Sequence, residues 1–589
     1  MKQFFKFMFA SMLGFIITLV ILFFIFLAIV AAFVSFADKE VVHVKDNTIL
    51  HITLNKPVYD RAPKIPLTFF NPSGFDLEVA PGLDEILKNI EKAKTDDRIS
   101  GIYLDLNTVP SGVAIVEEIR GALLDFKNSG KFIVAYGEAF GQLAYYLASV
   151  ADEIYLNPDG MIEFKGLAAE AMFLKGTLEK LDIDVKVIRH GKYKSAAEML
   201  TMEKLSDFNK EQLQAYIDDV WEQMISDISA TRGIAREDLE TAADKLHGFF
   251  AGKAKEIKLV DELYYKDELL AKLKEKTGLQ SDDKINTLPL GKYVNAADPV
   301  KRKISRDRIA VVYAIGSIGS GKGDDMTIGS ERLSKAIRNA RTNDKVKAIV
   351  MRVNSPGGSA LASEVIRREV ELASNEKPFI VSMGDLAASG GYWISCSADM
   401  IVADPMTLTG SIGVFGLFPN MGRFFDNKLG ITFDYAMTND NSDFPNITKP
   451  LPEYHEMVIE NEIEKIYDEF LGLVSDGREM PEERVDELGQ GRIWSALDAK
   501  ESGLIDELGG LKRAIEFAAE AAGLENYTIT SLPEQKDPFL QILEQLTGQA
   551  RTNVLRAELG DFYNHYERIL ELKEMDKLQA RLPFDIIIK

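Results

Sequence analysis

Apolar and polar residues are unevenly spread along this chain. From residue 7 to residue 37 no side chain is charged and nearly all are apolar. A helix needs roughly 20 apolar residues to cross a bilayer, so residues 1–40 are predicted to form a transmembrane anchor. Lys2 and Lys6 precede the run, while Asp38, Lys39 and Glu40 follow it with no net positive charge. The preference of basic residues for the cytoplasmic side then puts the N-terminus inside and the body of the chain outside. The rival reading is a cleaved signal peptide ending near Ser35-Phe36-Ala37. Its apolar core would be far longer than the usual ~7–15 residues, so an uncleaved anchor is expected.

Beyond the anchor, short apolar runs alternate with amphipathic stretches. In the second half, 348–353 reads as a buried strand, Pro356-Gly357-Gly358 as a turn, 360–374 as a helix and 379–383 as the next strand. This alternation predicts parallel sheets packed under helices, an α/β fold. The pattern also repeats. Displacing the sequence by 247 positions lays Ile90, Ala93, Thr95 and Asp97 on Ile337, Ala340, Thr342 and Asp344. The same shift lays Phe132-Ile133-Val134 on Phe379-Ile380-Val381, and a shift of 245 lays Asp261-Glu262-Leu263 on Asp506-Glu507-Leu508. So long a period means a duplicated domain rather than a solenoid. The copies are expected at 46–300 and 301–530, joined by a linker at 288–306. The remainder, 531–589, has no counterpart in the first copy and is expected to be a helical extension, with amphipathic helices at 541–555 and 563–577 and an added strand at 584–589.

Composition narrows the functional classes. The 589 residues carry a formal net charge of −22, which disfavours nucleic-acid backbones. The single cysteine, Cys396, excludes an internal disulfide and reads as a small buried hydrophobe.

The copies differ most tellingly at polar positions. The second reads Gly384-Asp385-Leu386-Ala387-Ala388-Ser389-Gly390-Gly391-Tyr392-Trp393, whereas the first has Gln142, Leu143 and Ala144 opposite Ser389, Gly390 and Gly391. A serine in a small-residue turn before a helix can act as a nucleophile beside unpaired N–H groups; it can equally be a plain helix cap. Asn354-Ser355-Pro356-Gly357-Gly358-Ser359 offers paired glycines whose amides could face a cleft, or simply a tight turn. Serine needs a base, and none of the six histidines lies near the serine segment. His455, after a proline-rich loop, is expected to be exposed. A buried, neutral lysine can serve instead. The first copy has Lys192 and Lys194 in the run Gly191-Lys192-Tyr193-Lys194-Ser195-Ala196, where the second has Ser442 opposite Lys194. One copy keeps the serine and the other the lysine, as expected if a single site is built across both. Ser411, replaced by Phe164 in the first copy, could orient such a lysine.

Taken together, 354–358, 384–393, 409–413 and 191–196 resemble the long, two-domain signal peptide peptidases of family S49, and the resemblance spans nearly the whole chain. It implies two tandem Clp-protease/crotonase-like β–α spiral domains after the anchor. It also implies a serine endopeptidase with Ser389 as nucleophile and Lys194, rather than Lys192, as general base. Ser411 would contact the lysine, and the oxyanion amides would come from Gly357 or Gly358 and from Gly390. The implied task is degrading cleaved signal peptides at the bacterial inner membrane, in a homotetramer facing its outer side, with no metal or organic cofactor. The partners expected are apolar peptides and membrane lipid around residues 7–37, not nucleic acid. Two alternatives remain at this stage: a crotonase-like acyl-CoA hydratase or hydrolase using carboxylates such as Asp385 and Glu364, and a non-catalytic membrane scaffold.

Overall fold

The alternating pattern is realised as two parallel sheets, one for each copy, in a computed structural model describing residues 2–37, 42–64, 70–71, 74–75, 80–300, 305–535, 578–581 and 587–588. In the first sheet the strands run in the order Thr287–Pro289, Thr48–Ile52, Ile99–Asp105, Phe132–Gly137, Glu153–Leu156 and Glu262–Leu263, all parallel. In the second, Arg308–Ile315, Val346–Ser355, Phe379–Ala388, Met400–Ala403 and Glu507–Leu508 repeat the order of the last five. Thr528–Leu532 extends one edge, and Leu408–Gly410 with the antiparallel Ile493–Ser495 extends the far end of Phe379–Ala388.

Helices recur in register with the strands. Leu83–Thr95 buries Leu83, Ile86, Ile90 and Ala93 at helical spacing, with Asp84 and Glu85 at its N-terminal end and Lys92 and Lys94 at its C-terminal end, where each charge opposes the helix dipole. Its counterpart is Ser330–Thr342. Val113–Lys127 corresponds to Ala360–Ser374, whose cap Ser359 accepts a hydrogen bond from the Ala362 amide. Asp207–Arg232 corresponds to Glu453–Arg478, each 26 residues long.

The expected linker is only partly one. Thr287–Pro289 is an edge strand of the first sheet, and Tyr293 is fully buried. Lys92 Nζ donates to the carbonyls of Tyr293 and Ala296 at 2.7 and 3.1 Å. Apolar Leu288 and Leu290, read as part of a connector, are instead drawn onto the core. The turn expected at Pro356-Gly357-Gly358 becomes a short strand, Gly357–Ser359, because a chain segment lies alongside to pair with it. In the tail, Ile587–Ile588 pairs antiparallel with Ala169–Glu170 inside the strand expected at 584–589. The expected helices at 541–555 and 563–577 lie outside the described residues.

The copies meet through charge as well as apolar surface. Arg352, on the central strand of the second sheet and fully buried, places its guanidinium 2.7 Å from Asp60 and 2.6 Å from Glu118 of the first copy. The two carboxylates raise its pKa further, against the effect of burial. Asp385 reciprocates, accepting from the Ala114 and Ile115 amides at 3.0 and 3.1 Å and so capping a helix of the first copy. Burial pushes its carboxyl up to about 6.

The third sheet mixes the copies. Its order is Ile328–Gly329, Ile318–Gly319, Gly357–Ser359, Leu578–Arg581, Phe415–Asn420 and Asp184–Arg189, the last strand coming from the first copy.

Arg352→Ala should cost about 3–5 kcal/mol, because it leaves Asp60 and Glu118 buried without their cation. Thermal denaturation of the detergent-solubilised protein should show a clear fall in Tm; an unchanged Tm would mean the cluster does not hold the copies together.

Candidate active site

Ser389 stands where strand Phe379–Ala388 breaks into a short helix, Gly390–Trp393. Its backbone has φ 55° and ψ −113°, a conformation that costs a non-glycine residue about 1–3 kcal/mol. Neighbouring hydrogen bonds hold it there. The Ser389 amide donates to the Gly410 carbonyl at 2.8 Å, and its own carbonyl accepts from the Trp393 amide at 2.8 Å. A serine at such an elbow is presented away from its own strand and helix.

Lys194 reaches this serine from the other copy. Strand Asp184–Arg189 pairs antiparallel with Phe415–Asn420, carrying the first copy's chain into the second copy's sheet. The segment then bonds onward, His190 N to Val414 O at 3.0 Å and Tyr193 N to Gln490 O at 2.9 Å. Lys194 ends with Nζ 2.8 Å from Ser389 Oγ, 3.0 Å from Ser411 O and 3.0 Å from Ser411 Oγ. Ser389, Lys194 and Ser411 are all fully buried. Burial pushes the Lys194 amine well below its ordinary pKa, and no carboxylate among the described residues offsets this. When the amine is neutral, its two N–H groups can donate to Ser411 while its lone pair accepts from the Ser389 hydroxyl.

The structure therefore brings together Ser389, Ser411, Gly357 and Gly390 of the second copy with Lys194 of the first. An ideal Cβ placed on Gly357, whose φ is 93°, would fall 2.6 Å from the Gly390 amide nitrogen, so no side chain fits there. The Gly357 amide donates to Ser355 Oγ at 3.1 Å. Lys192 is elsewhere, its amine about 5 Å above the Tyr193 ring.

Other expectations need correction or become idle. His455 is buried rather than exposed, against Phe444 and with its ring nitrogen 2.7 Å from Asn441 Oδ1. The carboxylates required by a hydratase are otherwise engaged: Asp385 caps a helix, while Glu364 binds Arg367 and accepts from the Trp393 indole at 3.0 Å. Sequence reasoning missed Gly491. An ideal Cβ there would lie 2.6 Å from the Lys194 backbone nitrogen and 2.6 Å from its Cβ. The Gly489-Gln490-Gly491 spacing was the visible signal that backbone comes close at this point.

Fold and site define a serine protease, and the comparisons agree. The model of "Peptidase family S49" matches residues 125–280 and 371–525, once in each copy. "Protease 4" of Haemophilus influenzae is 37% identical over 74% of this chain and 72% of its own length. The chloroplastic "Serine protease SPPA" of Arabidopsis thaliana is 35% identical over 86% of this chain and 74% of its own. Among solved structures, a ClpP1 mutant from Listeria monocytogenes aligns with 35% of this chain and 94% of its own, at 16% identity and a TM-score of 0.24. The chain belongs to peptidase family S49, with two S49 domains.

Gly491→Ala should push the Lys194 backbone aside. A displacement near 1 Å at a reacting group costs on the order of 10²-fold. Steady-state assays should show that loss in kcat with an intact circular dichroism spectrum; full activity would show that the loop tolerates the methyl group.

Proposed function

We propose that Ser389 is the nucleophile and Lys194 the general base of a membrane-anchored endopeptidase that degrades cleaved signal peptides. The observation that carries this reading is the 2.8 Å contact between Lys194 Nζ and Ser389 Oγ, both buried, with no charged partner to the amine among the described residues. The neutral amine takes the hydroxyl proton as Ser389 Oγ attacks the peptide carbonyl carbon. The oxyanion that forms is held by backbone amides, each worth about 3 kcal/mol. Because the Gly357 amide is already donated to Ser355, we assign these amides to Gly358 and Gly390. Collapse breaks the C–N bond, and the Lys194 ammonium protonates the leaving amine. Water, deprotonated by the same lysine, then hydrolyses the acyl-serine ester and frees the enzyme. Ser411 keeps the amine aimed.

The substrate class rests on the anchor. Helix Lys2–Ala37 includes a 19-residue stretch, Lys6–Phe24, of mean hydropathy 2.6, long and apolar enough to span a bilayer. Spent signal peptides are apolar and lie in the membrane, so an anchored protease meets them there. The charge pattern around the helix supports a cytoplasmic N-terminus and a body on the outer side of the bacterial inner membrane. Exposed apolar side chains at Ile431, Phe433, Met437 and Met457 support assembly into a homotetramer, whose contacts would cover them.

Ser389→Ala and Lys194→Ala should each lower peptidase activity by on the order of 10⁴-fold or more, while Lys192→Ala keeps it. Synthetic signal peptides in detergent micelles are the substrate to assay; normal turnover by both site variants would remove the dyad. Acidification should also silence the wild type, because protonated Lys194 cannot act as base. With burial depressing its pKa, the acid limb of kcat/KM should lie well below an ordinary lysine's titration. A profile flat down to the carboxylate range would contradict a lysine base.

A further inference from the structure

Lys194 lies in a loop with little regular structure of its own, between strand Asp184–Arg189 and the four-residue helix Glu198–Thr201. A second loop, 489–492 of the second copy, fixes it. The Gln490 carbonyl accepts from the Tyr193 amide at 2.9 Å, and an ideal Cβ on Gly191, whose φ is 98°, would fall 2.4 Å from that oxygen. The same loop holds the serine that contacts the amine. The Ser411 amide donates to the Arg492 carbonyl at 2.6 Å, and the Gly491 amide donates to the Ile412 carbonyl at 2.7 Å. One short loop therefore sets both the lysine backbone and Ser411.

That loop is strained, and it is pinned from one side. Gln490 has φ 53°, in the left-handed region that a non-glycine residue occupies only where its surroundings hold it. Its backbone amide donates to the Tyr467 hydroxyl at 3.1 Å, and its side-chain amide donates to Asp486 Oδ1. The Tyr467 hydroxyl in turn donates to Asp486 Oδ1 at 2.6 Å. Tyr467 is buried on helix Glu453–Arg478, with its ring stacked on His190 at a centroid distance of 3.8 Å. Burial raises the pKa of the phenol, so it stays protonated and can donate to Asp486 while accepting from Gln490.

The first copy supplies the contrast. Helices Asp207–Arg232 and Glu453–Arg478 align at a displacement of 246, which lays Trp221 on Tyr467 and Glu240 on Asp486. The Trp221 indole donates to both Glu240 oxygens at 3.1 Å, and Phe164, in place of Ser411, packs against it with ring centroids 5.4 Å apart. An indole N–H donates and cannot accept. The acceptor for a loop amide is therefore found at this position in the copy that receives the lysine, and not in the copy that lends it.

We propose that Tyr467 is a positioning residue for the general base, its hydroxyl holding Gln490 in the turn on which Lys194 is packed. This rests on the assignment of Lys194 as base and deepens it. Without the hydroxyl the Gln490 amide loses its acceptor, the strained turn relaxes, and Lys194 Nζ drifts from Ser389 Oγ into a wetter place. The titratable groups facing Tyr467 are Asp486 and His190, the latter with its Nδ1 2.7 Å from Glu464 Oε2; none of these is bonded to the Lys194 amine.

The test is Tyr467→Phe, which keeps the buried ring and removes one oxygen, in the full-length protein in detergent with a synthetic signal peptide as substrate. kcat should fall on the order of 10–10²-fold with KM nearly unchanged. The acid limb of the kcat profile should move about one unit to higher pH, toward that of an ordinary lysine. Tyr145→Phe, which removes a buried hydroxyl that donates to the Leu259 carbonyl in the first copy, shows the effect of lost stability alone and should keep the wild-type kcat and profile. If Tyr467→Phe does not fold, Asp486→Ala, at a half-buried position, should show the same two changes. An unchanged kcat or an unmoved acid limb overturns the proposal, as does an equal fall in kcat in Tyr145→Phe. Normal turnover by Lys194→Ala, assayed alongside, would instead bring down the base assignment beneath it.

Discussion

A lysine amine and a serine hydroxyl, 2.8 Å apart and shut away from water, are the contact on which the rest of the molecule is organised. Neither copy could make it alone. Burial holds the lysine's pKa well below its ordinary value, and that burial is supplied by packing one copy's loop against the other's. The serine needs a strained backbone, and the strain is held by the strand and helix on either side of it. In the proposed dyad, with one partner kept by each copy, the inter-copy interface is itself a condition for chemistry. The buried Arg352 cluster and the Asp385 helix cap lock the geometry in which Lys194 arrives.

The third sheet runs beside that contact. Its strands at Gly357–Ser359 and Phe415–Asn420 flank a gap one strand wide, and the lysine-bearing segment begins on the far side of Phe415–Asn420. An extended segment in that position gains main-chain hydrogen bonds whatever its sequence. The tail segment Leu578–Arg581 displays this arrangement within the chain itself.

Much of this was legible from the residues. The apolar runs at 348–353 and 379–383 and the helix at 360–374 appear close to where periodicity put them, because each is bounded by glycine, proline or small polar residues. The 247-residue displacement carried strand order from one copy to the other. The exchange of Ser389 for Gln142, and of Lys194 for Ser442, pointed to a meeting of the two copies, and the two side chains do stand 2.8 Å apart. What escaped was whatever depends on distant chain crossing locally ambiguous sequence. Gly357–Ser359 reads as a turn until Leu578–Arg581 lies beside it. Gly491 looks like any loop glycine until the Lys194 backbone is packed on it. His455 follows a polar loop and looked exposed, but Phe444 and Asn441 fold back over it.

The central claim is that an uncharged Lys194 activates Ser389. It is tested most directly by the pH dependence of covalent labelling with a serine-reactive acylating agent, with the adduct located by mass spectrometry. The account predicts a single adduct on Ser389, formed faster as pH rises through a midpoint well below an ordinary lysine's, and lost in Lys194→Ala. An adduct on another serine, or labelling of Ser389 that proceeds equally well without Lys194, would contradict it.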